Sequence, residues 1–226
     1  MPTVLMTGAN RGLGLEFARS YATDGWRVHA CCRHPGKAKS LKAVEGDLVV
    51  HKLDITDGLR VAGLARELAD DAIDVLLNNA GVYGPRSGFG ETDFDDWLDV
   101  LKINTIAPLR MAERFVEHVA RSERKLIVSI SSGMGSIAMN DAGGHYPYRA
   151  SKAALNMVVK GLSADLAARG IIAVALSPGW VQTDMGGSSA ELTPEESVAG
   201  MRAVIDGLTP ADSGRFLNYQ GEDRPW

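Results

Sequence analysis

The sequence predicts an α/β fold: a single doubly wound domain, with an about seven-stranded parallel sheet and helices on both faces. Three observations predict it. Short apolar runs alternate with longer amphipathic ones along nearly all of the 226 residues. The apolar runs have strand length and the amphipathic ones helix length. Regular alternation of the two implies parallel strands joined by right-handed crossovers that cover both faces of the sheet.

In chain order the strands are expected at Val4–Met6, Val28–Ala30, Leu48–Val50, Val75–Leu77, Leu126–Val128, Ile171–Val174 and, with the weakest pattern, Arg215–Leu217. Helical periodicity lies between them at about Leu13–Asp24, Leu59–Ala69, Asp95–Arg121, Tyr148–Ala168 and Pro194–Asp206. Glycine and proline fall mostly between these segments, and no internal repeat is visible, so residues 1–226 read as one continuous unit.

Composition narrows the function classes. Apolar residues make up 45% and charged residues 23% of the chain, enough for a packed core and too balanced for disorder. The net charge is −4 with no long basic run, which argues against nucleic acid as a partner and favours a small-molecule ligand. The opening residues carry neither a basic leader nor an apolar stretch of membrane-spanning length, so a cytoplasmic protein with no membrane partner is expected. The two cysteines, Cys31 and Cys32, are adjacent, a spacing that supports neither a disulfide framework nor a metal site.

In a sheet of this kind ligands bind beyond the carboxyl ends of the strands. The first strand runs into Thr7-Gly8-Ala9-Asn10-Arg11-Gly12-Leu13-Gly14. Glycines at a strand-to-helix junction let the backbone approach a pyrophosphate, whose charge then meets free N–H groups at the helix N-terminus. This is a Rossmann-type dinucleotide site in its expected place. The second strand ends in Cys31-Cys32-Arg33, where an NAD enzyme of this architecture would offer a carboxylate to the adenosine 2′-hydroxyl. Arg33, with Arg11, suits a 2′-phosphate instead, so NADP(H) is preferred and NAD(H) remains possible; the alternative is that both arginines are solvated surface charges. Asp54, followed by Ile55 after the third strand, could accept a hydrogen bond from adenine, cap the next helix, or both.

Tyr148 and Lys152 stand four residues apart, hence on one face of a helix, where a cation favours phenolate and brings the phenol nearer to a working acid/base. The pattern is weak alone, and its setting decides. That setting is Ser131-Ser132 after the fifth strand, Asn104 in a long helical stretch, and Asn78-Asn79-Ala80-Gly81 after the fourth. Pro108 lies four residues beyond Asn104 and has no N–H for the Asn104 carbonyl, which is thereby free to hold a water; alternatively Pro108 marks a boundary between two helices.

With these residues in order, and with Pro178-Gly179-Trp180-Val181-Gln182-Thr183 downstream, the chain resembles the short-chain dehydrogenase/reductase family over almost its full length. The resemblance implies that Tyr148 exchanges a proton with the substrate oxygen while hydride passes between substrate and nicotinamide. Ser132 would polarise the carbonyl, Lys152 would bind the nicotinamide ribose and lower the phenol pKa, and Asn104 would hold the water of a proton relay. Gly8, Asn10, Arg11, Gly12, Leu13, Gly14, Arg33, Asp54, Ile55, Asn79, Ala80 and Gly81 would line the cofactor cleft, together with Tyr148, Lys152, Pro178, Gly179, Val181 and Thr183. Ser131 and Ser136 are the other candidates for the serine, and the long loop Gly133–His145 after Ser132 implies an enlarged wall beside the pocket. Met134, His145, Trp180 and Met185 are possible wall residues outside the catalytic set.

Within the family the chain is most similar to the carbonyl reductase branch that includes C-factor-like and Sniffer-like proteins, a similarity to which the final Asp223-Arg224-Pro225-Trp226 contributes. The implied substrate is a small or broadly chosen carbonyl or alcohol, because the segment after Thr183, about 184–193, is a short Gly- and Ser-rich lid. A homodimer or homo-oligomer is implied as well. The rival expectations are a C-factor-like signalling protein that senses NADP(H) with little turnover, and an NAD-dependent alcohol dehydrogenase.

Overall fold

A computed structural model describes residues 1–226. Seven strands form one sheet, every neighbouring pair parallel: β1 (Thr3–Thr7), β2 (Arg27–Cys32), β3 (Leu48–Lys52), β4 (Val75–Asn78), β5 (Leu126–Ile130), β6 (Ile172–Ser177) and β7 (Phe216–Asn218), in the order β3-β2-β1-β4-β5-β6-β7. The single-domain α/β fold and its strand count are as the sequence predicts. The direction of winding reverses between β1 and β4, so the crevice of a doubly wound sheet opens above the carboxyl ends of those two strands.

Side-chain alternation along the strands produces two cores. Val4 and Met6 of β1, with Val75 and Leu77 of β4, face α1 (Gly12–Thr23) and α7 (Pro194–Gly207). Leu5 and Leu76 face the other way, toward α3 (Gly58–Glu67), α5 (Ala107–Ala120) and α6 (Tyr146–Asp165). Central strands covered on both faces must be apolar throughout, which is why β1, β4, β5 and β6 are buried along their whole length. The edge strand β3 is only partly covered.

The helix starts follow local chemistry. Asp57 caps α3 by accepting from the N–H groups of Leu59 and Arg60, and Thr193 and Glu196 form a reciprocal capping box at α7, with Pro194 in the first turn. The cap of α3 corrects one expectation: Asp54 does not cap it, because Asp54 closes its own tight turn onto Thr56 three residues earlier. A four-residue helix, α2 (Lys39–Lys42), carries too little periodicity to be read from sequence.

The long helical stretch is also refined. It consists of α4 (Phe94–Leu101), a π turn at Lys102–Ile106, and α5. Pro108 falls in the first turn of α5, where the missing N–H is tolerated, and the wider turn before it accommodates the proline without ending the helical run. Asn104 sits in the middle of that π turn and is completely buried. No helix is long and apolar enough to cross a membrane.

Candidate active site

The glycine loop approaches the chain after β4 closely. Gly8 has φ +67°, and a Cβ there would lie 2.9 Å from the Ala80 backbone; a Cβ on Gly14 would lie 2.2 Å from the Gly8 carbonyl oxygen and 2.6 Å from the Asn79 amide nitrogen. Hydrogen bonds fix this approach. Asn79 Nδ2 donates to the Thr7 carbonyl at 2.9 Å, while the Thr7 hydroxyl accepts from the N–H groups of Asn79 at 3.1 Å and Ala80 at 3.0 Å. No side chain caps the N-terminus of α1, which leaves its first N–H groups facing the crevice.

A cleft of about 480 Å³ opens there. Of the residues expected to line it, Gly8, Asn10, Arg11, Gly12, Leu13, Gly14, Arg33, Asp54, Ile55, Asn79, Ala80 and Gly81 do so, as do Tyr148, Lys152, Pro178 and Thr183. Gly179 and Val181 are not among the residues that line it. Gly179 turns at φ +81° against Leu192 and Tyr219, and buried Val181 pairs with Leu192, so both lie beneath the 184–193 segment. Glu16, Arg19 and Val82 also line the cleft and were not expected from the sequence. Glu16 and Arg19 lie in the turns of α1 after Gly12, so helical spacing from the glycine loop was the available signal.

Charge at the rim is unevenly committed. Arg33 is exposed and pairs with no carboxylate, and it helps hold the nearby Asp54 carboxyl below its ordinary value, although the Thr56 hydrogen bonds matter more. Arg11 reaches across the cleft to Asp184 at 3.0 Å, with both side chains largely exposed. Arg86 donates to the Met185 carbonyl at 3.3 Å, a second tie onto the 184–193 segment.

Tyr148 and Lys152 share the buried face of α6, and Lys152 Nζ lies 5.8 Å from the centre of the Tyr148 ring. Burial pushes the Tyr148 phenol up to about 12; the Ser132 side chain opposes the rise and the nearby Tyr83 adds to it. Burial also lowers the Lys152 ammonium to about 8. The expectation that Lys152 lowers the phenol pKa is therefore corrected. Desolvation of the phenol dominates, while Nζ is turned toward the Ile130 carbonyl, to which it donates at 2.8 Å.

The three candidate serines differ in their partners. Ser131 Oγ donates to Asn156 Oδ1 at 2.6 Å in a buried contact, and Ser136 Oγ donates to the Trp226 carbonyl at 3.3 Å. Ser132 alone stands beside the phenol, its Oγ accepting only the Met134 N–H at 3.2 Å. Asn104 lies behind Gly81. Its amide donates to the Val82 carbonyl at 2.8 Å and to Ser151 Oγ at 3.0 Å and accepts from the Val82 N–H at 2.9 Å, which uses both amide hydrogens and one lone pair of the oxygen. Met134 and His145 do border Tyr148, through Tyr83: the Tyr83 hydroxyl contacts the Met134 sulfur at 3.5 Å, and His145 meets the Tyr83 ring edge-on.

Comparison with known proteins places this geometry. A family model described as short chain dehydrogenase matches residues 2–193. The chain is 46% identical over 162 residues to the C-signal of Myxococcus xanthus, covering 72% of this chain and 98% of that one. It is 34% identical over 232 residues to the 1-hydroxy-2-glutathionyl-2-methyl-3-butene dehydrogenase of Rhodococcus sp. (strain AD45), with 100% of both covered. Among solved structures it resembles the carbonyl reductase Sniffer of D. melanogaster (TM-score 0.95, 33% identity, 100% of both chains). It also resembles an NADPH-bound carbonyl reductase from chicken fatty liver (TM-score 0.92, 34% identity, 100% of this chain and 99% of that one). The family match over residues 2–193 and the identity to a relative covered over its full length show that the chain belongs to the short chain dehydrogenase family.

Proposed function

We propose that the protein is an NADP(H)-dependent carbonyl/alcohol oxidoreductase in which Tyr148 is the acid/base. The observation that carries this is the position of Tyr148 and Lys152, with Ser132 beside the phenol, at the end of a cleft whose other end is a glycine cradle under an uncapped helix. The residues present fit a dinucleotide: Gly8 and Gly14 let the loop pack against Ala80 and Asn79 with no room for a Cβ, the free N–H groups of α1 suit a pyrophosphate, and Arg33 is a free cation at the rim. The NADPH bound by the carbonyl reductase from chicken fatty liver supports the same choice.

When bound, the nicotinamide supplies or accepts the hydride. The chain's own residues do the rest. Tyr148, protonated at neutral pH by virtue of its burial, donates its phenolic proton to the carbonyl oxygen as the alcohol forms. Ser132 donates a hydrogen bond to the same oxygen. Lys152, poised near neutrality at about 8, holds the ribose and returns a proton to Tyr148. The Asn104 side chain is spent on Val82 and Ser151, so its backbone carbonyl, which Pro108 cannot satisfy as an α-helical partner, is the group left to hold the relay water. Segment 184–193 acts as a short lid, tied down by Arg11 and Arg86.

The test is NADPH oxidation over a panel of aldehydes, ketones and quinones, with Tyr148→Phe beside the wild type. Turnover that disappears in Tyr148→Phe while NADPH binding persists supports the reading. Likeness to the C-signal favours a second one, a signalling or cofactor-sensing role with little turnover; an inactive wild type that still binds NADPH would favour it. We extend the proposal to a homo-oligomer in the cytoplasm. Exposed Phe94 and Leu98 on α4 and Met157 on α6 support the first part, and the sedimentation mass in solution checks it.

A further inference from the structure

Asn156 has no place in the mechanism above, yet it is a buried amide, only 3% exposed, one turn beyond Lys152 on α6. Tyr148, Lys152 and Asn156 are spaced four apart and form one stripe along the helix. A buried amide costs free energy unless it is hydrogen-bonded, and an aliphatic side chain would pack against a strand end without that demand. Both ends of the Asn156 amide are in fact committed, one on each side of Ser132. Oδ1 accepts from Ser131 Oγ at 2.6 Å, and Nδ2 donates to the Gly135 carbonyl at 3.3 Å.

Between those two anchors the chain makes a single tight turn capped by Ser132. The Gly135 N–H donates to the Ser132 carbonyl at 2.8 Å, and the Met134 N–H donates to Ser132 Oγ at 3.2 Å. The turn lies flat on α6: a Cβ on Gly135 would sit 2.8 Å from both the carbonyl carbon and the Cβ of Lys152. Outside the turn itself, Ser132 is held through the residues around it: Ser177 Oγ accepts from the Gly133 N–H at 3.1 Å, and Asn156 is the one side chain that grips both Ser131 and Gly135.

We propose that Asn156 is a positioning residue for carbonyl reduction: by tying Ser131 and Gly135 to α6 it fixes the Ser132 hydroxyl level with the Tyr148 phenol. The proposal rests on the assignment of Ser132 as the group that polarises the carbonyl. A single helix stripe would then set the acid, the ribose-binding lysine and the serine turn in fixed relation, each one turn from the next.

The experiment is a double-mutant cycle with Asn156→Ala, Ser132→Ala and the double variant. It measures steady-state carbonyl reduction, the NADPH Kd by fluorescence and the thermal midpoint. Ser132→Ala should lower kcat by about 100-fold, the scale for loss of one donor to a reacting oxygen. Asn156→Ala should lower kcat by about 10-fold or more with the NADPH Kd changed less than about twofold, and the double variant should be no slower than Ser132→Ala within about twofold. Asn156→Ala with wild-type kcat, or losses that multiply in the double variant, overturns the proposal. Should Asn156→Ala fail to fold, Ser131→Ala removes one anchor; it should lower kcat without multiplying the Ser132→Ala loss, and wild-type kcat there overturns the proposal equally. A fully active Ser132→Ala refutes the Ser132 assignment itself, whereas an inactive Ser132→Ala beside a fully active Asn156→Ala refutes only the role of Asn156.

Discussion

The rings of Tyr83 and Tyr148 stack with centroids 4.4 Å apart and planes within 18° of parallel. Tyr83 shields one face of the phenol that carries the proton, and Arg86 lies 5.3 Å from the centre of the Tyr83 ring. A stacked aromatic pair is worth about 0.5–1.5 kcal/mol, so loss of the ring is measurable. Tyr83→Phe keeps the stack but removes the phenol whose charge adds to the Tyr148 rise, so the pH profile of alcohol oxidation should move less than in Tyr83→Ala and in the same direction. Tyr83→Ala lets water reach Tyr148 and removes a group that raises its pKa. Oxidation needs the phenolate, so its rise with pH should move to lower pH, by roughly half a unit if the ring contact sets the shift. An unmoved profile in a folded Tyr83→Ala protein refutes this role.

Lys152 should leave a signature in stability. Its folded pKa of about 8 lies below the ordinary 10.5 of a solvated lysine, so the unfolded chain binds the extra proton between those values. Unfolding free energy then rises with pH from about 8 to 10.5, because the penalty of burying the ammonium is relieved as it deprotonates. Lys152→Met removes the penalty. It should stabilise the protein without cofactor at pH 7 by up to roughly 3 kcal/mol, less the lost hydrogen bond to Ile130. The advantage should shrink as pH approaches 10 in denaturant titrations, and a gap independent of pH would rule it out.

Cofactor preference should rest on Arg33 more than Arg11. Arg33 has no ion-pair partner, whereas Arg11 is held by Asp184. A charge-assisted hydrogen bond of about 1.5–3 kcal/mol corresponds to a roughly 10- to 100-fold loss in kcat/KM for NADPH in Arg33→Ala. The NADH value should barely change, and Arg11→Ala should have the smaller effect. Retention of NADPH preference in Arg33→Ala would show that the arginine is only a surface charge.

Gly14→Ala tests the cradle. The added Cβ would meet the Gly8 carbonyl oxygen, a backbone atom, at 2.2 Å, so the loop must shift. We expect about 1–3 kcal/mol of destabilisation and loss of NADPH binding by titration. Gly63→Ala, on α3 with nothing within 4 Å of its Cβ position, should be neutral or slightly stabilising in the same melts.

Much of this was legible in the chain because it depends on spacing. Alternating apolar runs specify a parallel sheet, and the glycine loop reads as a cradle because only glycine allows Gly8 and Gly14 to approach their neighbours. The cap of α3 was misassigned because Asp54 and Asp57 offer the same carboxylate chemistry three residues apart, and only the turn onto Thr56 distinguishes them. Tyr83 carried no signal at all: nothing in its neighbourhood in the sequence indicates that it will lie against a residue 65 positions later.

The sequence by itself determined the fold, the cleft and the identity of the Tyr148–Lys152 pair, since each follows from residue types at fixed intervals along one strand, loop or helix. The tertiary structure decided what those residues experience. Burial, not the neighbouring lysine, sets the Tyr148 phenol, because desolvation depends on everything packed around a group and not on its helix alone. Contacts between distant segments likewise set the three serines apart: the Ser131 and Ser136 hydroxyls donate to Asn156 and Trp226, while Ser132 lies beside the phenol.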